Sequence, residues 1–187
     1  MATIVERQYT PEDLLELTDG LMPELIDGQL VEREPMGQKA DAIAARLLLR
    51  VGNFVEENDL GLINGAQGSY QIFPNAPKKV RIPDISFTRR DRLPAEGLAE
   101  GHSRITPDLV IEIVSPNDTA TGLDEKIEDF LSAGVPLIWV LYPKTRAIQL
   151  FRRDGTGNRL RPGATLDGED VLPGFRCDVA QLFADVV

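Results

Sequence analysis

The sequence predicts one α/β domain, and three stretches carry that expectation. Residues 109–114 (Leu-Val-Ile-Glu-Ile-Val) form an aliphatic, largely β-branched run closed by Ser115-Pro116-Asn117, the pattern of a strand buried on both faces. Residues 137–142, with Trp139, form a second such run. Between them Leu123, Ile127, Phe130 and Leu131 recur at helical spacing up to about Gly134. A lone Glu112 inside a buried strand is costly unless a cation or hydrogen-bond donors compensate it. Lys126 lies on the flank of the helical stripe that follows, where it can snorkel to solvent or reach over the strand ends.

From the amino end, Thr10-Pro11-Glu12-Asp13 reads as a helix start, with Thr10 as N-cap and Pro11 in the first turn. Residues 23–32 (PELIDGQLVE) form a hairpin signal, because Asp27-Gly28 suits a two-residue type I′ turn. Pairing across it sets Leu25 opposite Leu30 on one face, with Glu24, Ile26 and Val31 on the other. Glu24 is then either a second inward acid or an exposed acid on a two-stranded edge. Residues 37–58 carry Ile43, Leu47, Val51 and Phe54 at helical spacing and form the longest amphipathic helix, placed against the sheet.

Residues 60–73 predict two short strands broken near Gly65-Ala66-Gln67-Gly68. Residues 80–88 predict another, with Ile85 and Phe87 on one side and Asp84, Ser86 and Thr88 on the other. Its Pro83 marks a start, an edge or a bulge. Residues 89–107 lack a period, and loops of that length are often functional or disordered. The only histidine, His102, lies there and reads as a solvated loop residue with no catalytic role. Residues 146–153 alternate as a hairpin partner to the Trp139 strand, turning at 154–157. The tail suggests a turn at 172–175 and a short helix over 179–183.

Composition bounds the function. A chain of 187 residues with 42% hydrophobic and 27% charged residues suits one soluble globular domain, taken as 1–187. No signal-peptide core and no run of membrane-spanning length is present, and the single Cys177 rules out an internal disulfide. The expectation is a cytoplasmic protein. The net charge of −10 is a poor overall field for nucleic acid, but it is uneven. Residues 1–35 hold nine acids against two arginines, whereas residues 78–92 hold six bases against two acids. That basic run reads either as a solvated strand edge or as a local phosphate-contacting patch.

Several chemistries fall away. One histidine and one cysteine cannot build an ordinary zinc cage, and there is no HExxH, GxSxG or Walker A motif. Gly155-Thr156-Gly157 lacks a third glycine and lies in an expected β-turn, so it is no dinucleotide loop. Oxygen ligands and a lysine remain, which point to Mg²⁺ or Mn²⁺.

Pro83-Asp84, then Pro107-Asp108 through Ser115-Pro116, then Lys126, Gly134-Val135 and Trp139 resemble the restriction-endonuclease family of the PD-(D/E)XK superfamily (the Uma type). The likeness runs from about Glu24 to Phe183. It implies a restriction-endonuclease-like core, a mixed β-sheet flanked by helices with an N-terminal β-hairpin. It also implies Asp84 as a metal-binding aspartate and Glu112 as the acid of the E-x-K element. The position two beyond Glu112 is Val114, so the resemblance implies a lysine moved to the next helix as Lys126. Glu24 matches an acid in the family's first hairpin. Many members carry a histidine at the start of the long helix, where this chain reads Gln38-Lys39-Ala40-Asp41.

Together these imply metal-dependent cleavage of nucleic-acid phosphodiesters, DNA rather than RNA, by a protein that family habit would make a homodimer. Asp108 shares a face with Glu112, but four residues along a strand is about 13 Å, which leaves it outside the metal's reach. Three alternatives stay open: a catalytically weak binding module, a structural dimer whose inward acids pair internally as Glu112–Lys126, and a hydrolase of a small phosphate ester.

Overall fold

The computed structural model describes residues 7–17, 22–33 and 35–186, so the first six residues of the acidic N-terminus lie outside the described residues. Thr10 caps α1 (Pro11–Leu15) through a capping box with Asp13, which satisfies two orphan donors of the first turn. The hairpin of β1 (Glu24–Ile26) and β2 (Gln29–Val31) has the expected register, with Leu25 opposite Leu30. Asp27 and Gly28 sit at φ 51° and 80°, the two left-handed positions that a type I′ turn requires. Helix α2 (Gln38–Glu57) buries Ile43, Leu47, Val51 and Val55, one stripe of its surface.

A six-stranded sheet follows, built from β3 (Gly61–Asn64), β4 (Ile85–Arg89), β5 (Leu109–Ile113), β6 (Leu137–Tyr142), β7 (Ala147–Arg152) and β8 (Gly157–Leu160). The strands lie side by side in chain order. Only β5 and β6 are parallel; they are joined through α3 (Ala120–Ser132), and every other neighbour is antiparallel. A small hairpin of β9 (Thr165–Asp167) and β10 (Arg176–Asp178) and a last turn of helix, α4 (Val179–Leu182), complete the chain. Arg46 of α2 fastens that end by donating from Nη1 to the carbonyls of Gln181, Leu182 and Ala184 at 3.1, 3.0 and 2.6 Å.

Strand alternation divides the core. Phe87, Ile111, Trp139 and Leu150 meet Ile43, Leu47 and Val51 of α2 together with Phe175 and Leu182. On the opposite face Val110, Ile138 and Val140 meet Ile127 and Phe130 of α3 and Phe73.

The structure corrects several expectations. The strand expected over 80–88 begins only at Ile85, because Pro83 has no N–H to pair; Val80 and Arg81 make isolated bridges to Leu25 and Tyr70. The second strand expected within 60–73 is reduced to Tyr70, which bridges both Arg81 and Ser103. The hairpin β9–β10 carries no periodicity that predicts it.

His102 is 7% exposed, not solvated. Its Nε2 lies 2.8 Å from the Pro11 carbonyl, which can only accept, so Nε2 carries the proton and Nδ1 faces Ser69 Oγ at 2.8 Å. The loop that holds it is pinned to α1 and to the strand segment at Tyr70.

Candidate functional site

The antiparallel register of β4 and β5 sets Ile85 opposite Ile111 and Ser86 opposite Val110. Continued by one residue, it sets Asp84 across from Glu112 on the α3 face. Side chains directly opposite have Cβ atoms ~5 Å apart. Both are 6% exposed. Asp84 Oδ2 accepts the Ile113 N–H at 2.8 Å, so its carboxylate lies against the strand that carries Glu112. Below it the same face of β4 is polar but satisfied: Ser86 Oγ and Tyr70 Oη are 2.6 Å apart, and Asn64 Nδ2 donates to Tyr70 Oη at 3.1 Å.

Thr119 caps α3 through the Gly122 N–H, which fixes the helix so that Ile127 and Phe130 enter the core. Lys126, one residue before Ile127, therefore points along the sheet surface. Its Nζ donates to the Ile82 carbonyl at 2.9 Å and to Glu112 Oε2 at 3.0 Å, and lies 3.1 Å from Glu24 Oε1. Nζ is also 3.0 Å from Glu112 Oε1, but hydrogen-bond geometry holds only to Oε2, so Oε1 is buried with no donor. The hairpin brings Glu24 in because Leu25 is anchored by backbone bonds to Val80 in both directions. Glu24 then accepts from Arg81 Nη1 at 2.8 Å and from the Ile82 N–H at 2.9 Å. The four residues that the sequence singles out, Glu24, Asp84, Glu112 and Lys126, thus meet in one buried cluster.

Three neighbours carry no local signal in the sequence. Arg81, 5% exposed, joins Glu24 to Asp129 of α3, donating from Nε and Nη2 to Asp129 Oδ2 at 2.8 and 2.6 Å. Lys79 pairs with Asp129 Oδ1 at 2.5 Å. Arg33, just past β2, donates to Asp84 Oδ1 at 3.1 Å and to the Ala66 carbonyl at 2.8 Å.

Most of the basic run is paired, although Arg89 and Arg90 keep side chains 50% and 56% exposed. Lys79, Arg81, Arg89, Arg90 and Arg92 each have a carboxylate partner, leaving Lys78 without one among the described residues. Asp108 lies at the other end of β5 and accepts from the Arg89 N–H and from Arg92, away from the cluster.

The electrostatics follow from burial. Loss of water pushes Glu112 up to about 8, with Asp84 and Glu24 adding repulsion and Lys126 opposing it. Burial likewise raises Asp84 despite Lys126, the Ile113 N–H and Arg33. Glu24 is buried too, but Lys126, Arg81 and the Ile82 N–H outweigh that effect and hold it below its ordinary value. Three carboxylates around Lys126 raise its pKa against burial.

An oxygen-only pair of facing carboxylates, one holding an unsatisfied oxygen, fits a hard divalent cation. Among the described residues no three histidine, cysteine or acidic side chains group closely enough to hold a metal ion. An ion here would complete its shell with water or backbone oxygen, as Mg²⁺ commonly does. A cavity of about 710 Å³ opens between the first turn of α2 (Gln38, Lys39), the end of β5 (Val114, Ser115) and the β6–β7 connection (Tyr142, Lys144), and none of the four cluster residues lines it.

The sequence matches the family Uma2, described as “Putative restriction endonuclease”, over residues 11–180. The chain belongs to the Uma2 family. Its structure is similar to the crystal structure of a “putative nuclease belonging to DUF820” from Anabaena variabilis, with a TM-score of 0.82 at 20% identity, covering 95% of this chain and 99% of that one. The mixed sheet with flanking helices is thus the restriction-endonuclease-like core that the resemblance implied. No curated protein matches the sequence. Family and fold support a nuclease-like function for this Uma2 member, and no helix among its described residues is long and apolar enough to cross a membrane.

Proposed function

We propose that this protein is a metal-dependent nuclease that hydrolyses phosphodiester bonds of nucleic acid, DNA in preference to RNA, with Mg²⁺ or Mn²⁺ held by Asp84 and Glu112. The observation that supports this reading is the facing Asp84–Glu112 pair, two buried carboxylates side by side with the Lys126 ammonium 3.0 Å from Glu112. When bound, the ion supplies an acidified water and positive charge for the phosphodiester in transition. Asp84 is oriented for its part by the Ile113 N–H. Lys126 holds an ammonium beside Glu112, where it steadies negative charge that develops at the phosphate. Glu24 and the Ile82 carbonyl fix the position of that ammonium. On this reading the chain is a single catalytic domain working in the cytoplasm as a homodimer, and sedimentation at micromolar concentration checks the dimer.

The Lys126–Glu112 ion pair supports a second reading, a binding or structural module whose acids are compensated internally. Mn²⁺ titration by water-proton relaxation separates the two. Saturable binding by wild type that is lost in Glu112→Gln supports the metal site; no binding by either supports the scaffold. Lys126→Ala is expected to lose cleavage of DNA while keeping most Mn²⁺ binding, and an equal loss of both would remove its proposed role.

A further inference from the structure

Arg33 differs from the other cations of the cluster. Arg81 and Lys126 are each wedged between two carboxylates, with side chains 6% and 13% exposed. Arg33 reaches in from outside, its side chain 25% exposed, and among the described residues it is the one cation within ion-pair distance of Asp84. It also takes the oxygen that a metal needs. Asp84 Oδ2 accepts the Ile113 N–H, so Oδ1, at 3.1 Å from Arg33, is the oxygen without a backbone donor.

A guanidinium and a divalent cation at bonding distance from one oxygen repel each other strongly in a partly buried site. Arg33 therefore competes with an arriving ion for Oδ1. Its second bond, to the Ala66 carbonyl, keeps it at the rim. A phosphodiester entering from solvent would bring its anionic oxygens past Arg33, which is more exposed than Arg81 or Lys126. A planar guanidinium matches two such oxygens at once.

Resting on the metal-site reading above, we propose that Arg33 exchanges partners: it neutralises Asp84 while the site is metal-free and binds the substrate phosphate once a divalent ion holds Asp84. Arg33 is then a substrate-binding residue whose resting position also lowers the affinity for the ion. Simple structural support would predict the opposite, because losing a supporting contact weakens a site.

The test compares wild type, Arg33→Ala, Arg33→Gln and Glu112→Gln. Water-proton relaxation gives Mn²⁺ affinity, and broadening of the ³¹P signal of inorganic phosphate reports phosphate beside protein-bound Mn²⁺. The expected result is Mn²⁺ binding about tenfold tighter in both Arg33 variants, a change worth about 1.4 kcal/mol, with the phosphate broadening reduced at saturating Mn²⁺. Binding by the Arg33 variants but not by wild type would support the exchange in stronger form. Mn²⁺ affinity lost in Glu112→Gln but unchanged or weakened in both Arg33 variants keeps the metal site and overturns the exchange. Tighter Mn²⁺ binding with undiminished broadening removes the phosphate role. Tightening in Arg33→Ala alone traces to altered packing and overturns the proposal. No binding by any of the four proteins removes the metal site itself, and the exchange with it.

Discussion

On the face under α2, the strands present Phe87, Ile111, Trp139 and Leu150 to a helix stripe of Ile43, Leu47 and Val51. On the face under α3, β4 and β5 present Asp84, Ser86, Val110 and Glu112, and the apolar packing with Ile127 and Phe130 covers only part of it. The two surfaces belong to the same strands, one residue out of phase. One face excludes water with side chains that are apolar apart from the unpartnered Trp139 indole N–H; the other holds charge that is tolerable because each group is answered by another. The first should respond to lost volume, the second to lost partners and to pH.

The largest expected effect is on the α2 face. Trp139 is fully buried and stacks on Phe175 at 5.9 Å between ring centroids. Trp139→Ala should cost about 3–5 kcal/mol of unfolding free energy through the cavity it leaves. Urea denaturation measures it, and a loss under 1 kcal/mol by that measure would deny this face its role.

On the α3 face, Arg81→Ala leaves Glu24 and Asp129 short of a partner and should cost about 3 kcal/mol. The double variant Glu24→Leu/Arg81→Met should regain part of that, since Lys79 still answers Asp129. If the double variant is no better than the single, packing rather than charge explains the loss.

Glu112 sets a smaller, pH-dependent effect. An acid whose folded pKa is raised costs no stability below its unfolded value of 4.5, and costs progressively more as pH climbs toward about 8. Metal-free wild type should therefore lose stability across that window relative to Glu112→Gln. Glu24, held below 4.5, acts in the other direction and only in acid: its contribution is present above 4.5 and is lost as pH falls through its folded value. Parallel stability–pH curves for wild type and Glu112→Gln between pH 5 and 8 would contradict the assignment. The smallest effect belongs to a pair on the surface, Arg176–Asp167, with side chains 67% and 47% exposed. Arg176→Ala should shift stability by less than ~0.5 kcal/mol.

What the sequence makes legible is what local chemistry decides. Thr10 and Pro11 mark a helix start, Asp27-Gly28 forces its turn, and the apolar period of residues 37–58 delimits α2 between its caps Gly37 and Asn58. Glu112 is visible because a charge is out of place in an apolar strand, whereas Lys126, on the flank of its helix, is singled out through the family resemblance. Their pairing with each other is legible as one of the open alternatives, but the cations that meet the other acids are not. Arg33 and Asp84 are 51 positions apart and Arg81 and Asp129 are 48, and nothing local signals either meeting. The basic run 78–92 divides in the fold: Lys79 and Arg81 pair with Glu24 and Asp129, far away in the chain, whereas Arg89, Arg90 and Arg92 pair nearer the surface with Asp91, Asp59 and Asp108. His102 is misjudged because its two partners, Pro11 and Ser69, come from elsewhere in the chain.

The chain-order arrangement of the sheet bears on how the molecule is made. Each strand from β3 to β8 pairs with the one before it, so the sheet can grow by accretion and no strand has to be inserted between two already paired. The parallel β5–β6 pair, closed across α3, is the step with a long crossover to close. During synthesis Glu24 and Arg81 are available to each other before Glu112 appears, and Lys126 follows only 14 residues after it. The acid of β5 therefore waits one short segment for its counter-ion, while β6, β7 and β8 are still to come. All residues of the charged cluster are thus synthesised before β6, β7 and β8.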